Sequence, residues 1–553
     1  MRKSLPVAAA LILLTAVGYL EFPGHTYLLS DTQIYIPILE HYRDPSLFTR
    51  EMVAVRPHVA FTIYDEMALG LRHFTGLGFE QVLTIQQLLF RALGILGVFL
   101  IATSMGLSRQ MAFVVSSVFT LGATIGGPTV LTFEYEPIPR GFAVPLLLLA
   151  AGMVAHGRDF GAGIAAALAF LYHPPTVYTF WGVYFLLTLW PNKPAVMSRR
   201  IWGLLPMLCA VVVLLFLSRL QAGVTEAQPF FSRISPELEK LQRMRAPYNW
   251  VSLWFPYWHW LSVFLWAVSL AAYWRVRRWA PEDLRFFLVG LPLLGILSLP
   301  LSHVLLEKLA WILIPQAQPA RAVLFVTVFA GILASVAGVK AVEAGRRIEG
   351  VIWFLLAFAI PIHTRVTELL LPDLSEPVIR RRLLLAVAFS GVAVLAAWAA
   401  SVGRKWAPAA MVLVSLAPFW LIPSYGNVVT YREVRTPELL ELCNWARQET
   451  AKDAMFLFPN AGRSLEPGIF RATALRAVYV DWKAGGQVNF FPKLGFEWWE
   501  RWRQTMARPF RPEKLPLFAS LGIDFIVLPA KNRLKDGAPV YSNAGFVVYA
   551  LRK

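Results

Sequence analysis

Apolar runs close to 20 residues long recur from the N-terminus to about Pro423. A helix of that length spans a hydrocarbon core of roughly 30 Å. The runs fall near 4–21, 81–104, 110–127, 140–155, 161–173, 176–190, 201–219, 251–273, 285–305, 321–339, 350–362, 383–402 and 408–424. Composition agrees. The chain is 57% hydrophobic and 16% charged, with a mean hydropathy of +0.54; soluble domains carry about 25% charged residues. The expected fold is a polytopic α-helical membrane protein of about 11–13 transmembrane helices. Residues 1–424 form the membrane domain, and 425–553 form a small soluble α/β domain.

The formal charge of +18 would suggest nucleic acid in a soluble protein. No nucleic-acid-reading motif accompanies it. Much of the excess sits in short loops, where it sets orientation. Arg2, Arg109, Arg158, Lys193, Arg199, Arg200, Arg275, Lys340 and Arg404 fall on one side, expected to be cytoplasmic. Arg380, Arg381 and Arg382 fall against the rule. The N-terminal run resembles a signal peptide but has no clear small-x-small site, so it reads as an uncleaved first span. Two runs, 161–173 and 176–190, are short and flank "YHPP", where prolines break a helix. They read either as a re-entrant pair or as two short crossings. In both cases the chain returns to the side it left. Cys209 and Cys443 allow no disulfide framework or metal spacing. With the N-terminus cytoplasmic, the tail is extracytoplasmic, at an inner or plasma membrane.

The outer side then holds 22–80, 128–139, 220–250 and the tail. In the long first loop, "TQIYIPILEHYRD" and "HVAFTIYDEMALGLRHFTG" have helical apolar spacing and read as helices along the interface. In the tail, Thr436 and Pro437 open a helix. "AMFLFP", "AVYVDW" and "IDFIVLP" read as strands, and a hairpin turns at Asn543–Gly545. "KAGGQVNFF" is read as a loop, either a plain turn or part of an acceptor-recognition surface. No phosphate loop, Gly-x-Ser-x-Gly or His-Glu-x-x-His is present.

Polar residues at the outer ends of spans are the informative ones, because burying them in a membrane is costly. Asp31, in "YLLSDTQIYIP", follows the first span directly. Either it or Ser30 caps the next helix, or it serves chemistry. "TFEYEPIPRGFAVPL" sets Glu134 and Glu136 beside Tyr135, with Arg140 opening the next span. His173 sits at the Pro-Pro break, as a structural cap or a site residue. His303, Gln316, Gln318 and Arg321 surround a later outer connection. Arg321 opens an apolar span, so it either snorkels to the interface or holds an anion through its planar fork. "YNWVSLWFPYWHW" reads as an interfacial aromatic belt or as a stacking surface for a sugar or prenyl chain.

"SDTQIYIP" with "DPSLF", "EYEPIPRGFAVPL", "LYHPP" and "QPARAVL" together resemble the GT-C superfamily. These are integral-membrane glycosyltransferases that use polyprenyl-phosphate-linked sugars, with protein mannosyltransferase, aminoarabinose transferase and oligosaccharyltransferase layouts among them. The resemblance implies that Asp31 is the catalytic base or acceptor-orienting carboxylate. It implies that Glu134, Glu136, Arg140, His173, His303, Gln318 and Arg321 bind substrate. It further implies a divalent cation, Mg or Mn, on Asp31, Glu134 and Glu136. Glu-x-Glu stands here where many members have Asp-x-Asp. The oligosaccharyltransferase Trp-Trp-Asp motif is absent from the tail. The implied partners are a polyprenyl-phosphate sugar donor, membrane lipid and an extracytoplasmic acceptor. Two other classes compete: a transporter or flippase of lipid-linked saccharides, and a catalytically silent envelope assembly protein.

Overall fold

The structure is a computed structural model that describes residues 5–20, 24–54, 62–220, 228–362, 378–421 and 435–551. Helices stand at all thirteen apolar runs: Leu5–Leu20, Phe79–Ser104, Arg109–Thr120, Pro139–Ala155, Asp159–Tyr172, Pro174–Leu189, Pro194–Leu220, Pro256–Val276, Glu282–Ser302, Leu324–Glu343, Arg347–Ile362, Val378–Ser401 and Ala407–Leu421. Among the described residues, four stretches are both long and apolar enough to cross a membrane: Phe79–Ser104, Pro194–Leu220, Glu282–Lys308 and Ile314–Glu343. The helices pack through small residues. A Cβ at Gly97 would lie 2.3 Å from the Leu148 carbonyl carbon, so helices Phe79–Ser104 and Pro139–Ala155 meet backbone to backbone.

The short pair does return to its starting side. Tyr184 Oη donates to Asp159 Oδ1 at 3.0 Å, joining the far end of Pro174–Leu189 to the start of Asp159–Tyr172. At that end Arg200 is fully buried, 2.6 Å from Asp283, and Arg199 bridges Asp283 and Asp159. Arg199 and Arg200, which sequence assigned to orientation, therefore also clamp three helices together. His173 lies at the opposite end.

Two readings are corrected. The run near 110–127 stops as a helix at Thr120. Beyond it, β1 (Thr124–Ile125) and β2 (Val130–Leu131) form an antiparallel hairpin. Gly126 and Gly127 make this possible, since a Cβ on either would run into the Trp258 or Trp254 ring. The aromatic segment, in turn, is more than a belt. Trp250 and Trp254 are buried, whereas Tyr257 and Trp260 stay exposed. The span there begins at Pro256 rather than 251.

The first-loop helix Thr32–Arg43 does not lie on the interface but is wedged between two cores. Ile36 and Leu39 join a buried cluster that runs from the membrane helices into the tail, while Ile34 and Ile38 join a second, made of tail residues with Trp250, Leu306, Ile312 and Ile314. Residues 58–61 of the second predicted helix lie outside the described residues; the remainder forms Tyr64–Thr75.

The tail is an α/β unit. Its five-stranded sheet runs β4-β3-β5-β7-β6, with β3 (Met455–Leu457), β4 (Ala477–Val478), β5 (Phe525–Pro529), β6 (Tyr541–Ser542) and β7 (Phe546–Ala550). The first three strands are parallel, and the hairpin closes antiparallel. Asn543 Oδ1 accepts the Gly545 and Phe546 amides and fixes the predicted turn. "KAGGQVN" is a 3-10 helix, Lys483–Asn489, rather than an irregular loop.

Candidate active site

A cavity of about 690 Å³ opens where the membrane helices, the first outer loop and the tail meet. Asp31, Arg140, His173, Gln318 and Arg321 all line it. Lys483 of the tail lines it as well, together with Arg245 and Tyr248. Among the described lining residues, four basic side chains thus share the cavity with a single carboxylate.

Asp31 stands at the N-cap position of Thr32–Arg43, yet its side chain makes no capping bond. Glu136 does that work. Its carboxylate accepts the Ser30 and Asp31 amides, both at 2.8 Å, and the Thr32 hydroxyl. These donors lie at the approach to the helix start, where the helix dipole favours a negative charge. Burial, with Asp31 nearby, pushes the Glu136 carboxyl above its usual range. Replacing it with Gln turns an amide NH2 toward backbone donors. Glu136→Gln is therefore expected to cost about 1–3 kcal/mol of stability and to displace Asp31. Thermal unfolding of the purified variant checks this, and an unchanged midpoint would count against the cap.

With the cap supplied from elsewhere, the Asp31 carboxylate is left to face the cavity. Its Oδ1 lies 2.9 Å from Lys483 Nζ, and its Oδ2 lies 3.7 Å from an Arg140 terminal nitrogen. Burial opposes ionisation, but Lys483 and Arg140 outweigh it and hold this carboxyl well below the ordinary range. Arg140 is fixed from behind by Glu134, at 2.6 Å. Glu134 also accepts the Leu131 amide of the hairpin at 3.2 Å.

Gln318 sits at φ 48°, ψ 50°, a left-handed conformation that costs a residue with a side chain about 1–2 kcal/mol. That turn ends the short helix Ile314–Ala317 and starts the 3-10 segment carrying Arg321. The Arg321 guanidinium lies 5.2 Å from the Tyr248 ring centre. It makes no ion pair among the described residues, and its Nε is buried without a partner. His173 breaks two helices. Its Nδ1 lies 2.7 Å from Thr176 Oγ1. Burial, with Arg321 and Arg140 close by, keeps the ring neutral.

His303 does not join the site. The helix Glu282–Ser302 runs on as a π-helical turn, and His303 pairs there with Glu307 at 3.3 Å, outside the cavity lining. Nor do the proposed metal ligands fit a divalent cation. Asp31 is paired with cations, Glu134 with Arg140, and Glu136 with backbone amides. No group of three His, Cys, Asp or Glu among the described residues could hold a metal. Sequence reasoning did not single out Arg245, and it held Lys483 and Tyr248 only within the longer segments "KAGGQVNFF" and "YNWVSLWFPYWHW". Lys483 opens a glycine-rich tail segment, read as a plain turn or an acceptor surface, 452 positions from Asp31. The Arg245 side chain donates to the carbonyls of Trp482 at 2.9 Å and Lys483 at 3.1 Å.

A family described only as a domain of unknown function (DUF6798) matches residues 437–505. No curated protein matches the chain. Among solved structures, ArnT from Cupriavidus metallidurans in the apo state superposes with a TM-score of 0.53 at 11% identity, covering 100% of this chain and 98% of that one. The same protein bound to undecaprenyl phosphate gives 0.53 at 13% identity, with 99% and 97% covered. The chain thus shares the fold of ArnT along its whole length.

Proposed function

We propose that the chain is a membrane glycosyltransferase that moves a sugar from a polyprenyl-phosphate donor to an extracytoplasmic acceptor. The observation that carries this reading is the cavity itself: Arg140, Arg245, Arg321 and Lys483 around Asp31. Such a site suits an anionic phosphate beside one carboxylate. Convergence of these side chains on one cavity, rather than their dispersal, speaks against a silent assembly role. An apolar pocket of about 130 Å³ is lined by Trp254, Trp258, Leu265 and Val268 together with residues 124–128 of the β1–β2 hairpin. It offers room for part of a prenyl chain.

In this reading Arg321 and Arg140 receive the charge on the leaving phosphate as its bond to the anomeric carbon breaks. Asp31 holds the acceptor hydroxyl for attack from the opposite face, giving inversion. A carboxylate held so far below neutrality is a weak base. Asp31 accordingly orients the acceptor in the resting site, and takes its proton only after Lys483 has turned from it to the phosphate. The cavity faces the extracytoplasmic side, and the Arg199–Arg200 clamp faces the cytoplasm, in keeping with the basic-loop rule.

The test is release of undecaprenyl phosphate from a panel of undecaprenyl-phosphate-linked sugars by the purified protein in lipid nanodiscs. Donor cleavage coupled to acceptor glycosylation is expected. No cleavage across the panel would reject the reading. Addition of EDTA is expected to leave the rate unchanged, given the donor set above. A loss restored by Mg or Mn would show that a cation completes the site.

A further inference from the structure

The tail segment that matches a domain of unknown function delivers Lys483 to Asp31, and a buried ion cluster lies directly behind that contact. Arg471 is fully buried. One terminal nitrogen lies 3.0 Å from Asp481 Oδ1 and 3.5 Å from Glu51 Oε1. The other donates to the Gln33 carbonyl at 3.1 Å, inside the helix that Asp31 precedes. Glu51 Oε2 accepts the amide of Val478, on β4, at 2.8 Å. Asp481 Oδ1 accepts the Ala484 amide at 3.1 Å and so shapes the turn that holds Lys483. One guanidinium therefore touches the Asp31 helix, the first outer loop and the Lys483 turn.

We propose that Arg471 is a positioning residue. Its ion pairs with Asp481 and Glu51 hold the tail turn in register with helix Thr32–Arg43, so that Lys483 meets Asp31. A cluster serving only tail stability would not need a bond to the Gln33 carbonyl. Placing two carboxylates and one arginine out of water is costly, and here the cost falls at the joint between the tail and the helix that follows Asp31. The fork of Arg471 matters, because a lysine offers one point charge and cannot serve Asp481, Glu51 and Gln33 together.

The inference rests on Asp31 and Lys483 being site residues, but its test needs no sugar transfer. The full-length protein in nanodiscs is treated with an acetylating N-hydroxysuccinimide ester, and the rate at each lysine is read by mass spectrometry. Lys483 is expected to be protected in the native protein and exposed to the reagent in Asp31→Ala, which calibrates the scale. Arg471→Met and Asp481→Asn should each raise Lys483 labelling several-fold. Labelling of Lys452 and Lys531, elsewhere in the tail, should stay as it was. The Asn variant keeps the turn's acceptor and removes only charge, so it serves where the Met variant fails to fold. Unchanged Lys483 labelling in the folded variants would overturn the proposal. So would a rise shared by all tail lysines, which marks loosening of the whole domain. Failure of the transfer assay with this labelling pattern intact would reject the glycosyltransferase reading and leave the positioning role standing.

Discussion

Asp31→Asn is expected to lower sugar transfer by roughly 10²–10⁴-fold, with a thermal midpoint within a few degrees of the native one. The two halves of this expectation come from different contacts. Stability is spared because Glu136, not Asp31, accepts the amides at the helix start. Asn has the same shape and can still accept from Lys483 through its carbonyl. Activity is lost because the only carboxylate among the described residues lining the cavity has gone, leaving four cations with nothing to orient an acceptor hydroxyl. The pH dependence has a definite sign. The folded carboxyl is held below its unfolded value of about 3.9, so the ionised form prevails above that value and is lost only as pH falls through the depressed one. Titration of Asp31 should leave no step in the rate between pH 5 and 8. Steady-state kinetics of the Asn variant beside circular dichroism decides the matter. Native turnover would remove Asp31 from the reaction.

The helices were legible because a long apolar run writes itself locally. All thirteen runs are helical in the described residues. The reading failed where tertiary contacts override the run. The stretch near 110–127 is apolar throughout, but Gly126 and Gly127 let Trp254 and Trp258 press onto the backbone, and a hairpin results. The helix after Asp31 looked interfacial because its apolar positions are amphipathic. They are apolar in two directions, each toward a buried cluster that joins the bundle to the tail. The tail's strands were readable from short β-rich runs, as far as the Asn543 turn.

The site was legible in outline and not in its parts. Asp31, Arg140, His173, Gln318 and Arg321 were found because a polar residue at the end of a span is expensive and therefore conspicuous. Glu136 was found for the wrong role. Local sequence shows Ser30 and Asp31 as cap candidates, and cannot show that a carboxylate 105 residues away takes both amides first. Arg245 was missed for the same reason, and Lys483 was seen only inside a segment read as a plain turn or an acceptor surface. They lie in polar segments where a basic residue is ordinary, and only the docking of the tail against the first loop gives them meaning.

Arg321→Met should separate function from stability most sharply. Arg321 is buried, makes no ion pair among the described residues, and leaves its Nε unpartnered. A buried charge without a partner destabilises its fold, and an apolar replacement of similar volume is neutral or stabilising. The Met variant is therefore expected to unfold at the native temperature or above it. Its transfer rate should fall by about 10²–10³-fold, the usual loss when one donor to a developing anion is removed. Binding should weaken too. A charge-assisted bond to phosphate contributes about 1.5–3 kcal/mol, or roughly 10–100-fold in affinity for undecaprenyl phosphate. The thermal shift on adding that lipid should shrink accordingly, since stabilisation follows the ratio of ligand concentration to Kd. Arg321→Lys keeps the charge and loses the fork, so it should recover only part of the binding. A Met variant that melts well below the native protein would mean that Arg321 already has a partner in the fold. One that binds undecaprenyl phosphate as tightly as the native protein would place the phosphate on Arg140 and Lys483 instead.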